Sequence, residues 1–103
     1  MLGGLLMVGS PAATAAPTLS GTAGAGDALT ASPGTWSPAA SSYAYQWQLS
    51  TNGGSTWTAI TGATSSSYTL PAADQGDSVR VIVTATNTYG SASADSAAAK
   101  IAA

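Results

Sequence analysis

Few residues in this sequence have side chains suited to catalysis. Neither histidine nor cysteine occurs among the 103 residues. The commonest general base near neutral pH and the commonest protein ligands of zinc are therefore missing. Serine is plentiful, but no G-x-S-x-G motif is present and no histidine could activate a hydroxyl. The sequence therefore predicts a protein that is not an enzyme.

The four aspartates are the only acidic residues, and Asp74 and Asp77 lie close together in the sequence. A calcium site usually takes about six to eight oxygen ligands from a loop that contains several acids. Asp74 is more simply interpreted as a residue that caps a turn. A glycosidase would need two acids positioned in a cleft, which no pattern here indicates. We therefore expect neither a metal ion nor another cofactor.

Two other patterns have both a functional and a structural interpretation. The glycine-rich run from Gly21 to Gly26 lacks the lysine and the following helix of a phosphate-binding loop. Trp36 and Trp57 could stack on sugars, but we interpret both as core or edge packing. Neither pattern predicts a catalytic or cofactor site.

Charge is scarce in this chain, with two basic and four acidic residues. Arg80 and Lys100 are too few and too far apart in sequence to neutralise a phosphate backbone or to hold an anionic membrane surface. The sequence thus predicts no nucleic-acid partner. We expect Arg80 to form an exposed ion pair with Asp77 or Asp95.

From Pro17 onward, short extended segments alternate with turn residues at intervals of about 8–12 residues, which is typical of all-β sandwiches. The run from Tyr43 to Leu49 alternates with a period of two, as a half-buried strand does. Helical periodicity is absent. The predicted strands are Thr18–Ser20, Asp27–Ser32, Tyr43–Leu49, Thr56–Ile60, Ser67–Leu70, Ser78–Thr86 and Ser91–Ile101.

The predicted core consists of the large inward-facing residues of these strands. Seven aromatic residues must dominate it, because phenylalanine is absent and much of the apolar fraction is alanine. Trp47 should be almost fully buried between two sheets. The residues expected to form the core are Leu29, Tyr45, Trp47, Val79, Val81 and Val83.

Residues 1–16 differ from the rest of the chain and form a separate segment, an apolar arm followed by an Ala/Pro spacer. Its apolar run precedes small residues, as in a secretory signal, but no Lys or Arg comes first and Pro17 follows the small residues. It is too short to span a bilayer. We favour an arm that contacts a neighbouring subunit, while a retained signal stays an open alternative. The expected contact residues are Met1, Leu2, Leu5, Leu6, Met7 and Val8.

Residues 17–103 carry motifs that are specific in combination: GDALTASPGTW, YQWQLSTNGGSTWTAITGATSSSYTL and DQGDSVRVIVTATNTYG. This part of the chain resembles the immunoglobulin-like domains of bacterial surface proteins and phage structural proteins. The resemblance implies an all-β, antiparallel immunoglobulin-like sandwich of about seven strands. It also implies that Trp47 is the tryptophan of strand C. Antibody-type domains join strands B and F by a disulfide, in whose place this chain has Leu29 and the Val79–Val81 stretch.

The resemblance implies a stalk, spacer or decoration module and names no ligand. We expect a virion subunit that binds other protein subunits, either its own copies or a shell protein, through the N-terminal arm. The alternative is an exported adhesin on the bacterial surface, which would contact protein or, weakly, glycan. In neither case do we expect membrane insertion.

Overall fold

The computed structural model describes residues 9–102, and this part of the chain is all-β. Apart from one turn of 3-10 helix at Ala72–Asp74, its regular structure is extended. The strands are β1 (Ala12–Ala15), β2 (Thr18–Ser20), β3 (Ala28–Ser32), β4 (Thr35–Ser37), β5 (Ser42–Ser50), β6 (Thr58–Ala59), β7 (Ser67–Thr69), β8 (Ser78–Asn87), β9 (Gly90–Asp95) and β10 (Ala99–Lys100).

These strands form three antiparallel sheets. The largest has the order β6-β5-β8, and both β9 and β10 pair with the far edge of β8. A three-stranded sheet has the order β2-β3-β7, and β1 pairs with β4. A parallel bridge between Gly24 and Ala102 joins the chain end to the loop after β2.

The pair formed by β5 and β8 is the longest in the structure. Its register runs from Ser42 opposite Thr86 to Ser50 opposite Ser78 without a bulge. On β8 the side chains alternate strictly, so that Val79, Val81, Val83 and Ala85 are fully buried while their neighbours face outward. Because β-branched residues suit a pleated, half-buried surface, this segment is well adapted to the central position.

The core lies between the largest sheet and the three-stranded sheet. Trp47 from β5 is completely buried, and its ring stacks on that of Tyr68 from β7 with centroids 5.7 Å apart. Leu29 from β3 and Leu70, which follows β7, are also buried in this cluster. The predicted core residue Tyr45 is half-buried and packs against its edge.

Two strands were not expected from the sequence. Residues 12–15, predicted as spacer, form β1, and Thr35–Ser37 form β4 between two segments predicted as turns. Gly34 directly precedes β4, and its backbone passes very close to the end of β1. A β-carbon at Gly34 would collide with the Ala15 carbonyl oxygen. Alanine-rich and proline-flanked segments give little β signal, so only this pairing reveals the strands.

The last predicted strand, Ser91–Ile101, is divided in two. Asp95 lies opposite Ile82 and Ala99 lies opposite Val79, so the register shifts by one residue between them. Ser96 causes the break, because its hydroxyl accepts a hydrogen bond from the Val81 N–H at 3.0 Å and so replaces a backbone acceptor. With β1, β4 and this division, the described residues contain ten strands rather than about seven.

The structure predicts that replacing Trp47 by alanine removes most of the stability of the protein. Trp47→Ala should cost about 3–5 kcal/mol, because it leaves a cavity between the sheets and an unpaired Ser65 carbonyl. Urea unfolding followed by circular dichroism measures this cost. Trp57→Ala, at a half-buried surface position, is the matched control and should cost clearly less. Equal costs would contradict the assignment of Trp47 to the core.

Candidate functional site

A shallow pocket of about 320 Å³ lies between the loop after β6 and strand β7. Its lining carries no charge. Six of its residues bear hydroxyl groups, and one of these is aromatic: Thr61, Thr64, Ser65, Ser67, Thr69 and Tyr68. Such a surface offers hydrogen bonds and one ring, which suits a neutral polar ligand and not an ion.

Hydrogen bonds from β5 hold the wall of this pocket. The Gln46 side-chain amide donates to the carbonyls of Ile60 at 2.9 Å and Ala63 at 3.3 Å. The Trp47 backbone N–H donates to Ala63 O at 3.0 Å, and its indole N–H donates to Ser65 O at 2.8 Å. These bonds fold the chain back on β5 soon after β6 ends, which shortens the predicted strand Thr56–Ile60 to Thr58–Ala59.

Tyr68 contributes the aromatic wall of the pocket. Burial raises the pKa of its phenol above the ordinary value, and the negative charge of Asp74 adds to this effect. Like any tyrosine near neutral pH, Tyr68 is protonated and can both donate and accept a hydrogen bond; the raised pKa keeps it protonated to a higher pH. One face of its ring is already stacked on Trp47.

A second polar cluster lies on the outer face of the largest sheet, around Arg80. The guanidinium lies 4.5 Å from the ring centroid of Trp57, donates to Gln48 Oε1 at 2.8 Å, and lies 3.2 Å from Asp95 Oδ2. Asp95 is therefore the acidic partner of Arg80. It is one of the two partners, Asp77 and Asp95, that were expected from the sequence. The contacts are partly solvated, so the ion pair contributes only about 0–1 kcal/mol. We interpret this cluster as surface packing that also covers one face of Trp57.

The other predicted candidates take structural positions. Trp36 is buried, and its indole N–H donates to Pro33 O at 2.7 Å, so it cannot stack on a sugar. Asp74 lies in the 3-10 turn, and its carbonyl accepts from the Asp77 N–H at 3.0 Å. Within residues 9–102 no three acidic residues come together as a possible metal site.

The expected contact residues of the arm, Met1, Leu2, Leu5, Leu6, Met7 and Val8, lie outside the described residues. The structure does define the point at which they join the folded chain. Asn87 donates from its side-chain amide to the Gly9 carbonyl at 2.9 Å, and its side-chain oxygen accepts from the Tyr89 N–H. Gly90 (φ 144°) lies so close that a β-carbon there would come within 3.4 Å of Ser10. The turn between β8 and β9 therefore fixes Gly9 and Ser10, which follow the apolar run in the sequence.

The sequence did not predict the structural roles of Gln46, which holds the pocket loop, and of Asn87, which holds Gly9. Gln46 was recognised only as a residue on the outer face of a strand, and Asn87 only as part of a turn. The sequence offers one signal for the role of Gln46, which is its side-chain amide in the middle of an alternating strand. Such an amide can donate hydrogen bonds to the carbonyls of a neighbouring loop. The contact between Asn87 and Gly9 joins residues 78 positions apart and has no local signature.

A family model described as a domain of unknown function (DUF8696) matches residues 8–103. The match covers all but the first seven residues. The chain belongs to the DUF8696 family. The span of this DUF8696 domain includes β1, in keeping with the pairing of β1 with β4. A comparison with curated proteins finds no match. No helix within residues 9–102 has the length and apolar character needed to cross a membrane.

Proposed function

We propose that this DUF8696 protein is a non-catalytic structural protein, a decoration or fibre subunit of a phage-like virion. Its body is an immunoglobulin-like β-sandwich, and its N-terminal arm attaches it to neighbouring protein subunits. The observation that carries the proposal is the hydrogen bond by which Asn87, in the turn between β8 and β9, holds Gly9, the residue that follows the apolar run in the sequence.

Strand order supports the immunoglobulin-like part of the proposal. The sheet β2-β3-β7 corresponds to strands A, B and E of such a domain. The sheet β6-β5-β8, continued by β9 and β10, corresponds to strands C′, C, F and G. In this correspondence Trp47 lies on strand C. Leu29 would then lie on strand B and Val81 on strand F, the strands that a disulfide joins in antibody-type domains, and both residues are fully buried.

The arm is the part of the chain best suited to attachment. The last of its six large apolar residues, Val8, directly precedes Gly9, whose carbonyl accepts from the Asn87 side-chain amide at 2.9 Å. The main core positions are already filled by Trp47, Leu29, Leu70 and the valines of β8. Burying each apolar side chain on a partner contributes about 1.5–3 kcal/mol, against the entropy lost when the arm is ordered. The arm therefore provides affinity that the polar surface of the sandwich lacks.

Removing residues 1–8 should leave a folded protein that no longer joins its assembly. The deletion stops at Val8 because Pro11 is buried and residues 12–15 pair with β4. A matched control replaces residues 1–8 by Gly and Ser, which keeps the length and removes the apolar side chains. Tagged variants are expressed in the producing host, and mass spectrometry of gradient-purified particles detects them.

We expect the full-length chain in the particle fraction and both variants in the soluble fraction, with unchanged melting temperatures. Equal incorporation of the deletion variant would show that the arm is not the anchor. Absence of the full-length chain from particles would contradict the virion assignment itself.

The second candidate is an exported surface module that binds neutral glycan, and the hydroxyl-lined pocket beside Tyr68 favours it. Titration of the ¹⁵N-labelled protein with galactose, glucose and N-acetylglucosamine should then shift amide signals of residues 61–69. Ser67→Tyr would fill the pocket and abolish the shifts, whereas Ser91→Tyr, at an equally exposed strand position on β9, would not. Absence of shifts at millimolar sugar would exclude this candidate.

A further inference from the structure

Strand β7 forms one edge of the three-stranded sheet, because β3 is its only strand partner among the described residues. The Leu70 N–H donates to Asp27 O at 2.8 Å, which fixes the phase of the hydrogen bonds between the two strands. In an antiparallel pair, residues that face the partner strand alternate with residues that face away from it. Tyr68 therefore faces β3 with its backbone groups, whereas the N–H and C=O groups of Ser67 and Thr69 point away from the sheet.

These outward backbone groups form no hydrogen bond within the part of the chain that the structure describes. Ser67 and Thr69 are both exposed, and both contribute to the hydroxyl-lined pocket. The free edge of β7 and the facing loop, residues 61–65, together form a groove that we call the edge groove. One wall of this groove presents two N–H and two C=O groups, repeated at the strand spacing of about 6.6–6.8 Å for two residues.

The sequence of β7 does not protect this edge from pairing. Exposed edge strands commonly carry a charged residue, a proline or a bulge that discourages the addition of another strand. Asp95 on β9 and Lys100 on β10 are charged residues of this kind, and Pro17 directly precedes β2. Strand β7 consists of one serine, one tyrosine and one threonine, and its register with β3 is regular. It is therefore suited to accept a further strand.

We propose that the edge groove binds an extended, uncharged peptide segment of a partner protein, which adds to β7 as an antiparallel strand. The backbone groups select this occupant. An extended chain offers an N–H and a C=O on the same side at every second residue, which matches the spacing of Ser67 and Thr69. A monosaccharide has no such repeat. Antiparallel addition is favoured because parallel pairs are slightly less stable per residue.

The pocket determines which side chain of the peptide fits opposite Tyr68. Directly opposed residues of paired strands have their side chains on the same face, so this side chain enters the pocket that Tyr68 lines. The hydroxyl groups of Thr61 and Thr64 can bond to an amide or a hydroxyl there. The negative charge of Asp74 acts on the Tyr68 phenol, so a carboxylate in the pocket would be repelled. Glutamine is therefore favoured over glutamate at this position.

Titration of the ¹⁵N-labelled full-length protein with acetyl-Thr-Val-Gln-Val-Thr-amide tests the proposal, and amide signals of residues 61–69 should shift. The valines of this peptide lie opposite Ser67 and Thr69. N-methylation of both valines removes the N–H groups that bond to β7, so the dissociation constant should rise about tenfold or more. N-methylation of the central glutamine is the matched control and should leave the affinity unchanged, because that N–H faces away from β7. Replacing the glutamine by glutamate should also weaken binding.

Thr69→Pro tests the same contact from the protein side. It removes one outward N–H and leaves the bonds between β7 and β3 in place. Ser93→Pro is the matched control on another edge, because the bond from Ser96 N–H to Val81 O sets a phase in which the Ser93 N–H faces away from β8. Thr69→Pro should weaken peptide binding and Ser93→Pro should not. Melting temperatures establish that both variants fold.

Absence of shifts at millimolar peptide would overturn the inference, and so would equal affinities for the unmodified peptide and the peptide methylated at both valines. Shifts with sugars but not with the peptide would assign the pocket to the glycan candidate instead. The edge groove consists of described residues and does not involve the arm. Its failure therefore leaves the virion proposal standing if removal of residues 1–8 still abolishes particle incorporation. Peptide binding without particle incorporation would contradict that proposal and leave this inference in place.

Discussion

Trp47 belongs to β5, yet its side chain makes its main contacts with the other sheet. Its ring stacks on Tyr68 of β7, and its indole N–H donates to the Ser65 carbonyl in the loop that leads to β7. Leu29 and Val81 belong to the same buried cluster as Trp47, which no disulfide supports because the chain has no cysteine. The same contacts hold the wall of the hydroxyl-lined pocket. One residue therefore joins the two sheets and fixes the loop that forms one wall of the hydroxyl-lined pocket.

Small polar side chains complete this structure where strands end or change register. The buried hydroxyl of Ser96 takes the Val81 N–H and separates β9 from β10. The buried hydroxyl of Ser50 accepts from the Gly54 N–H at 2.8 Å and shapes the turn after β5. Because a buried backbone group without a partner costs about 1–3 kcal/mol, such contacts maintain a fold with few large apolar residues.

The strands with strong side-chain patterns could be predicted from the sequence, and those defined by pairing could not. Thr18–Ser20 and the alternating valines of β8 were expected where they occur, because periodicity and β-branching report directly on burial. By contrast, β1 and β4 have small or turn-forming residues, and only their mutual hydrogen bonds make them strands. The pocket and the attachment of Gly9 to Asn87 depend on contacts distant in sequence. Local pattern carries no information on such contacts.

Hydrogen exchange of the three tryptophan indole N–H groups in the folded protein tests the central position of Trp47 most directly. Trp47 is fully buried and its indole N–H is bonded to Ser65 O, whereas Trp57 is half-buried beneath Arg80. The indole proton of Trp47 should therefore exchange only on global unfolding, with a protection equal to that of the slowest amides of β5 and β8. Exchange of Trp47 as fast as that of Trp57 would contradict the account, because the two sheets would then not be joined through this side chain.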